Sequence, residues 1–173
     1  ASGNDPSPNV NNGNGSRVFH VNDGVTARSN VLIRRLSMTG ADFNGFGGAI
    51  SASESLTIEE CVFRQNSAAN GGAIGSTGPL FVHDSEFFEN VGKLGGGALQ
   101  ISGSVFVAEI YETVIHNNTS DGAGGGIYVS PNRTTGLKIQ STLIQDNTAG
   151  TNGGGVASES ALLFTDCSII GNH

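Results

Sequence analysis

The sequence has no tryptophan, one methionine and two cysteines among its 173 residues, and it is poor in basic side chains. Eight lysine and arginine residues stand against fifteen acidic ones, which gives a formal net charge of −7. Because proteins bind nucleic acid and anionic membranes through basic patches that neutralise phosphates, this balance disfavours both partners. No apolar run approaches the ~18 residues of a transmembrane helix, so no membrane insertion is expected.

Glycine is abundant, with 27 residues, and many of the glycines recur at a regular spacing. Five times, a glycine pair precedes a small and an aliphatic residue, at positions 47–50, 71–74, 96–99, 124–127 and 153–156. Between these motifs an apolar residue precedes an asparagine by three positions: Phe63/Asn66, Phe87/Asn90, Ile115/Asn118, Ile144/Asn147 and Ile169/Asn172. A repeat of about 25 residues indicates a solenoid.

Within each repeat the apolar residues alternate with a period of two, as in Leu56-Thr57-Ile58, which predicts short strands with one buried face. A repeat of this length with glycine or asparagine corners is typical of one coil of a parallel β-helix. The sequence therefore predicts an all-β solenoid of about six coils, with three short strands in each. Equivalent residues would then stack into buried rows: Phe63, Phe87, Ile115, Ile144, Ile169 and Ile58, Val82, Ile110, Ile139, Phe164.

The regular recurrence of glycine and asparagine in each repeat predicts structural roles for both. Sharp corners need positive φ, and closely stacked backbones leave no room for a Cβ atom. This applies to Gly71, Gly72, Gly96, Gly97, Gly124, Gly125, Gly153 and Gly154. Stacked asparagine amides can hydrogen-bond to the coils above and below. We call Asn66, Asn90, Asn118, Asn147 and Asn172 the asparagine row.

A second row is acidic. Glu60, Asp84, Glu112 and Asp166 share one position of the repeat, with Ser141 interrupting the run. Like charges at coil spacing repel, so this acidic row either binds cations, of which Ca²⁺ is the candidate, or faces water at a solvated corner. We favour the solvated corner and predict no catalytic residue, no cofactor and no other metal site.

The two cysteines also share one position of the repeat. Cys61 and Cys167 lie four coils apart, which is roughly 19 Å at the strand spacing of a sheet. A disulfide needs Cα atoms within about 7 Å of each other. The sequence therefore predicts two free, buried thiols in a row of small side chains.

The coils differ mainly in length, with extra residues around positions 102–106 and 130–136. Insertions in solenoids map to loops on one side, which is often a binding side, although surface loops also lengthen at little cost in stability.

The two ends of the chain differ as well. Residues 1–17 read as a flexible or partner-exchanging arm, and residues 18–173 as a β-helix with an uncapped C-terminal end. An uncapped coil presents unpaired edges, which predicts either head-to-tail self-association or coverage by further coils of a longer chain.

The alternation of GGA(I/L/V) with FxxN, best seen at positions 47–50, 63–66, 71–74, 87–90 and 96–99, resembles the repeats of chlamydial polymorphic outer-membrane proteins. More broadly, it is similar to right-handed parallel β-helix repeats of bacterial surface proteins. Later coils depart, with glycine at positions 126 and 155 and isoleucine at 115, 144 and 169. The resemblance implies a right-handed, exported passenger domain, displayed at the cell surface and adhesive toward a host or glycan receptor.

Two functions remain open from the sequence. The favoured one is an extracellular structural or adhesive scaffold without catalytic activity, displayed at the surface or forming filaments. The alternative is a polysaccharide-binding or polysaccharide-cleaving β-helix of the lyase kind, which would use clustered carboxylates and a basic residue on one outer face. The signatures of pectin-degrading hydrolases do not occur in the sequence.

Overall fold

The computed structural model describes residues 10, 12–24, 28–103, 107–131 and 136–173. Part of the predicted arm, residues 1–9 and 11, lies outside the described residues. The same holds for residues 104–106 and 132–135, which belong to the two predicted insertions.

The chain winds through successive coils of short strands. The first coil contains β1 (Phe19–Val21), β2 (Asn30–Arg34), β3 (Ser37–Thr39) and β4 (Asp42–Phe46). The second contains β5 (Ile50–Ala52), β6 (Ser55–Glu59), β7 (Val62–Arg64) and β8 (Ser67–Asn70). The third contains β9 (Ile74–Ser76), β10 (Leu80–His83), β11 (Glu86–Phe88) and β12 (Val91–Gly95).

The remaining coils follow the same order. The fourth contains β13 (Leu99–Ile101), β14 (Ala108–Tyr111), β15 (Val114–His116) and β16 (Thr119–Ser120). The fifth contains β17 (Ile127–Val129), β18 (Leu137–Gln140), β19 (Leu143–Gln145) and β20 (Thr148–Ala149). The last contains β21 (Val156–Ser158), β22 (Leu162–Thr165) and β23 (Ser168–Ile170).

Strands at the same place in successive coils pair in parallel and form four sheets. Sheet 1 runs from β1 to β21, sheet 2 from β2 to β22 and sheet 3 from β3 to β23, with six strands each. Sheet 4 runs from β4 to β20 and has five strands. This arrangement confirms the prediction of a parallel β-helix, with three or four strands per coil where three were expected. The strands of sheet 4 were not predicted, because segments such as Ser67–Asn70 and Thr119–Ser120 are short and lack alternating apolar residues.

The predicted apolar rows form the core. Phe87 pairs in register with Phe63 on one side and Ile115 on the other, and its ring stacks on that of Phe63 with centroids 4.6 Å apart. Val82 lies in register between Ile58 and Ile110 in sheet 2. These side chains are fully or almost fully buried. Each coil therefore closes over the apolar side chains of its neighbour, and burial of their area favours folding by about 25 cal/mol per Å².

The glycine corners connect sheet 4 to sheet 1 and bring stacked backbones into close approach. Gly71 has a φ of +64°, which L-residues with a Cβ atom rarely adopt. A Cβ atom on the following Gly72 would lie 2.2 Å from the carbonyl oxygen of Gly97 in the next coil. Glycine is needed at the first position for its conformation and at the second for space.

Both cysteines are free, as expected, but only Cys61 is buried. Cys167 is half-exposed because it precedes β23, the edge strand of sheet 3, and no described strand pairs with the outer edge of β23. Because β22 is likewise an edge strand, of sheet 2, Phe164 is 37% exposed, and Ile169 in β23 is 49% exposed, although their in-register neighbours Ile139 and Ile144 are buried. The described residues form no helix of the length and apolarity needed to cross a membrane.

Candidate functional site

The outer face of sheet 2 carries side chains of varied chemistry. Alternate residues of its strands point away from the core, and parallel pairing aligns them in two rows. One row contains Phe81, Glu109 and Lys138, and the other contains His83, Tyr111 and Gln140. The rows bring together aromatic, acidic, basic and amide groups that are about 30 residues apart in the sequence.

All of these side chains except that of Phe81 line a cleft of about 360 Å³ across β10, β14 and β18, which we call the polar cleft. The Lys138 ammonium lies 3.0 Å from Oε1 of Glu109, and the two form an ion pair across neighbouring coils. The rings of His83 and Tyr111 are tilted by 58° with centroids 6.1 Å apart. Gln140 completes the lining. The cleft thus combines two aromatic rings with hydrogen-bond donors and acceptors.

An apolar depression of about 340 Å³ adjoins the polar cleft and shares Lys138 with it. Its other lining residues are Val107, Gly136, Leu137, Ala161, Leu162 and Leu163. Val107 and Gly136 directly follow the parts of the two insertions that lie outside the described residues. The insertions therefore connect to sheet 2 beside this depression.

The acidic row forms the corner between sheet 2 and sheet 3. Its four residues have φ values between 46° and 53°, and Arg35 and Ser141 at the same position of the repeat have φ values of 55° and 50°. Such left-handed residues turn the chain sharply and hold their side chains at the surface. Asparagine and aspartate tolerate this conformation better than glutamate does.

The members of the acidic row have different neighbours. Glu60 forms ion pairs with Arg34 and Arg35 at 2.8 and 2.7 Å, and hydrogen bonds from Arg35 and then Arg34 lower the pKa of its carboxyl group to about 2. Glu112 directly follows Tyr111 in the chain, and its carboxylate, followed by partial desolvation and the charge of Asp84, raises the pKa of the Tyr111 hydroxyl. The acidic row therefore adjoins the polar cleft at Tyr111.

Within the described parts of the chain, no cluster of three or more histidine, cysteine, aspartate or glutamate side chains has the proximity needed to hold a metal ion. The solvated corner stays our prediction for the acidic row, and cation binding stays its alternative.

The asparagine row lies inside the β-helix, at the corner between sheets 3 and 4. The amide nitrogens of Asn66, Asn90, Asn118 and Asn147 each donate to Oδ1 of the asparagine in the next coil at 2.9–3.0 Å. The same oxygen accepts the backbone N–H of the preceding asparagine, as in Asn90 N–H to Asn118 Oδ1 at 3.0 Å. The amide nitrogens of Asn66, Asn90, Asn118, Asn147 and Asn172 also donate to a backbone carbonyl of the preceding coil. All these groups are structural and face away from solvent except at Asn172.

A row of hydroxyl and thiol groups follows the acidic row inside the corner. Ser85, Thr113 and Thr142 each donate to the carbonyl two residues earlier, at 2.7–2.8 Å. Cys61 takes the same place, with its thiol 3.2 Å from the Glu59 carbonyl, and burial raises the pKa of that thiol. This environment suits a structural thiol and gives no nucleophile.

The residues of the polar cleft were not singled out from the sequence. His83, Tyr111 and Gln140 are common polar residues, and nothing about their spacing differs from that of other outward positions. The side chains in these rows differ in every coil, so the repeat gives no signal for the cleft. Only the stacked register shows that His83 lies beside Tyr111 and Tyr111 beside Gln140.

Comparison with curated proteins and with solved structures finds no significant match for this chain. The protein family described as right handed beta helix region matches residues 9–172, nearly the whole chain. This match agrees with the parallel stacking of all four sheets. The chain belongs to the right-handed β-helix family.

Proposed function

We propose that this chain is an extracellular, non-catalytic β-helix scaffold with an adhesive role, and that it binds a carbohydrate through the outer face of sheet 2. The observation that supports this most directly is the polar cleft beside the apolar depression. The two share Lys138 and extend over four consecutive coils.

The chemistry of the cleft suits sugars. The apolar faces of sugar rings pack against aromatic rings, here those of His83 and Tyr111. Sugar hydroxyl groups need both donors and acceptors, which Lys138, Gln140 and Glu109 supply. Successive coils place these groups about 4.8 Å apart along the axis of the β-helix, so an extended polymer lying along that axis would contact a different set of side chains in each coil.

The extracellular location is supported by composition and by the resemblance of the repeats to surface-displayed passenger domains. The chain is acidic, with a formal net charge of −7, and is rich in asparagine, serine and glycine. Both cysteines are unpaired, so the location rests on these two arguments alone.

The test is binding of soluble oligosaccharides of glucose, xylose, N-acetylglucosamine and galacturonic acid, measured by titration calorimetry. We expect Tyr111→Ala and Lys138→Ala to weaken binding about tenfold or more, because each removes one wall of the cleft. Tyr128→Ala is the matched control, since Tyr128 lies on sheet 1 and its hydroxyl donates to Glu159 at 2.8 Å. Equal losses in Tyr111→Ala and Tyr128→Ala, or no binding to any of the four sugars, would contradict the proposal.

Polysaccharide cleavage is the second candidate, favoured by the contact between Tyr111 and the acidic row. The carboxylates of Glu112 and Asp84 both raise the pKa of the Tyr111 hydroxyl, and His83 and Lys138 line the same cleft as Tyr111. Carboxylate, tyrosine, histidine and lysine side chains are the residue types of acid–base chemistry.

Cleavage would release new chain ends from an acidic polysaccharide, and the expected requirement for Ca²⁺ makes the activity sensitive to a chelator. Loss of that activity in Asp84→Asn and Glu112→Gln, with Glu89→Gln as the control, would favour the enzyme over the scaffold. Glu89 also has positive φ but lies at the next corner, between sheets 3 and 4.

A further inference from the structure

Residues 12–17 form a strap that lies on β4, the edge strand of sheet 4. Asn14 forms an isolated antiparallel bridge with Phe43. No other described strand pairs with the outer edge of β4, and all strand pairs within the four sheets are parallel. The strap therefore occupies the one edge of the first coil where antiparallel pairing is observed.

One end of the strap is held by a buried carboxylate. The backbone N–H groups of Asn12 and Gly13 donate to Oδ2 of Asp42 at 3.0 and 2.6 Å. Asp42 is 2% exposed, and its second oxygen, Oδ1, is buried without a hydrogen-bond partner. A carboxylate in this position is costly unless the bonds to the strap compensate for its burial, so strap and carboxylate stabilise each other.

The other end is held by Arg17. Its guanidinium lies 4.1 Å from the centroid of the Phe43 ring, and Nε and Nη2 donate to the carbonyls of Gly47 and Phe46 at 3.0 and 2.8 Å. Between the two ends, a Cβ atom on Gly13 would lie 2.6 Å from Cβ of Asn44, and Gly13 has a φ of +78°. The strap thus fits closely against β4, with glycine required at its tightest point.

We propose that the strap is a latch that covers the edge of β4 and prevents a second copy of this chain from pairing there. An uncovered edge strand is a template for another strand. Two β4 edges related by a twofold axis would run antiparallel, which is the direction in which the strap pairs with β4. Release of the strap by loss of either end would expose this edge and convert monomers to dimers.

Gly13→Ala releases the strap without changing any charge, and Gly40→Ala is its matched control. Gly40 also has positive φ, at +67°, but a Cβ atom there would meet open space. Trypsin cleavage after Arg17 reports the release, because the bound guanidinium is withheld from the protease. We expect the cleavage rate at Arg17 in the full chain to rise about tenfold or more in Gly13→Ala, since proteolysis follows the population of the open form. The rates in Gly40→Ala and in the unchanged chain stay similar.

Asp42→Ala provides a second route to the same state, with Asp121→Ala as its control on an exposed residue. Cleavage at Lys138, in β18, is measured in the same digest, so that global unfolding is separated from release of the strap. Light scattering after size exclusion gives the mass of each protein over a range of concentrations. We expect a monomer for the unchanged chain and a concentration-dependent dimer for Gly13→Ala. Unchanged cleavage at Arg17 in both variants would overturn the latch, and a monomer despite faster cleavage would overturn its role against pairing.

Discussion

The asparagine row and the acidic row both repeat once per coil, but one lies inside the β-helix and the other outside. Inside, each asparagine bonds to the coils before and after it, and Asn66, Asn90, Asn118 and Asn147 are fully buried. Outside, the acidic side chains repel one another and find separate partners, such as Arg35 for Glu60 and Tyr111 for Glu112. Equal spacing along the chain therefore produces a cooperative network only where water is excluded.

Of the substitutions that test the difference between the two rows, Asn118→Ala is expected to change the free energy of unfolding most. The change leaves the backbone N–H and the amide of Asn90 without an acceptor, and Oδ1 of Asn147 keeps only the backbone N–H of residue 118 as a donor, all in the buried core. We expect the free energy of unfolding to fall by about 3–5 kcal/mol, since each buried group left unpaired costs about 1–3 kcal/mol. Urea denaturation measures this loss.

Asn117→Gly is the control for Asn118→Ala. Asn117 is the adjacent residue, but it is exposed and has a φ of +52°, so glycine fits its backbone. If Asn117→Gly lowers the free energy of unfolding as much as Asn118→Ala does, then any change at this corner destabilises the chain, and the buried hydrogen bonds of the asparagine row are not the cause.

A smaller loss is expected from Asn172→Ala, at the end of the asparagine row. Asn172 is only half-buried, and Oδ1 accepts the N–H and amide groups of Asn147. Water can reach this site and replace part of the lost bonding, so we expect the free energy of unfolding to fall by about 1–2 kcal/mol. A loss equal to that of Asn118→Ala in the same urea titration would show that burial is not what separates the two positions.

In the acidic row we expect a substitution to raise the free energy of unfolding. Glu112 has a left-handed backbone with a φ of 46°, and Glu112→Gly removes the strain of that conformation. The backbone strain of about 1 kcal/mol exceeds the entropy that glycine adds to the unfolded chain, so we expect a gain in stability of about 0.5 kcal/mol. Glu109→Gly, three residues earlier in β14, is the control and is expected to destabilise by about 1 kcal/mol. Thermal unfolding of both variants compares them, and destabilisation by Glu112→Gly would show that its side chain matters more than its backbone.

The smallest effect concerns pH. The pKa of Glu60 is lowered from 4.5 to about 2 in the folded chain, first by the hydrogen bond from Arg35. A depressed carboxyl pKa contributes stability that is present above the unfolded value of 4.5 and is lost as pH falls toward 2. Because Glu60 is solvent-exposed, we expect only a slight decline over this range. An NMR titration of Glu60 should give a higher pKa in Arg35→Ala, and an unchanged pKa would contradict the assigned cause.

Much of the fold could be predicted from the sequence because each coil repeats the requirements of the last. The apolar rows through Phe87 and Val82 follow from spacing alone, since in-register stacking converts a repeat of about 25 residues into direct contact. Sheet 4 could not be predicted in this way. Its strands are held by backbone pairing between adjacent coils and carry few apolar side chains, so they leave no alternating pattern in the sequence.

The candidate site was less accessible to prediction than the fold. Lys138 and Glu109 belong to an outward row whose members differ in every coil, and no repeat marks them. A site of this kind consists of residues that deviate from the repeat. In a single sequence, a deviation that serves a function looks the same as one that the fold merely accommodates. The strap could not be predicted from the sequence either. Asp42 is one of fifteen acidic residues, and only the folded chain shows that the backbone N–H of Gly13 donates to its carboxylate.

The residues that stack on one another follow from the repeat alone, because its period fixes the coil and its alternation fixes the side of the strand. What each row contacts is visible only in the folded chain: buried amides beside the asparagine row, the arginines beside Glu60 in the acidic row, and a strap along the edge of β4. Register depends on local spacing, whereas burial and charge pairing depend on segments that folding brings together from distant positions.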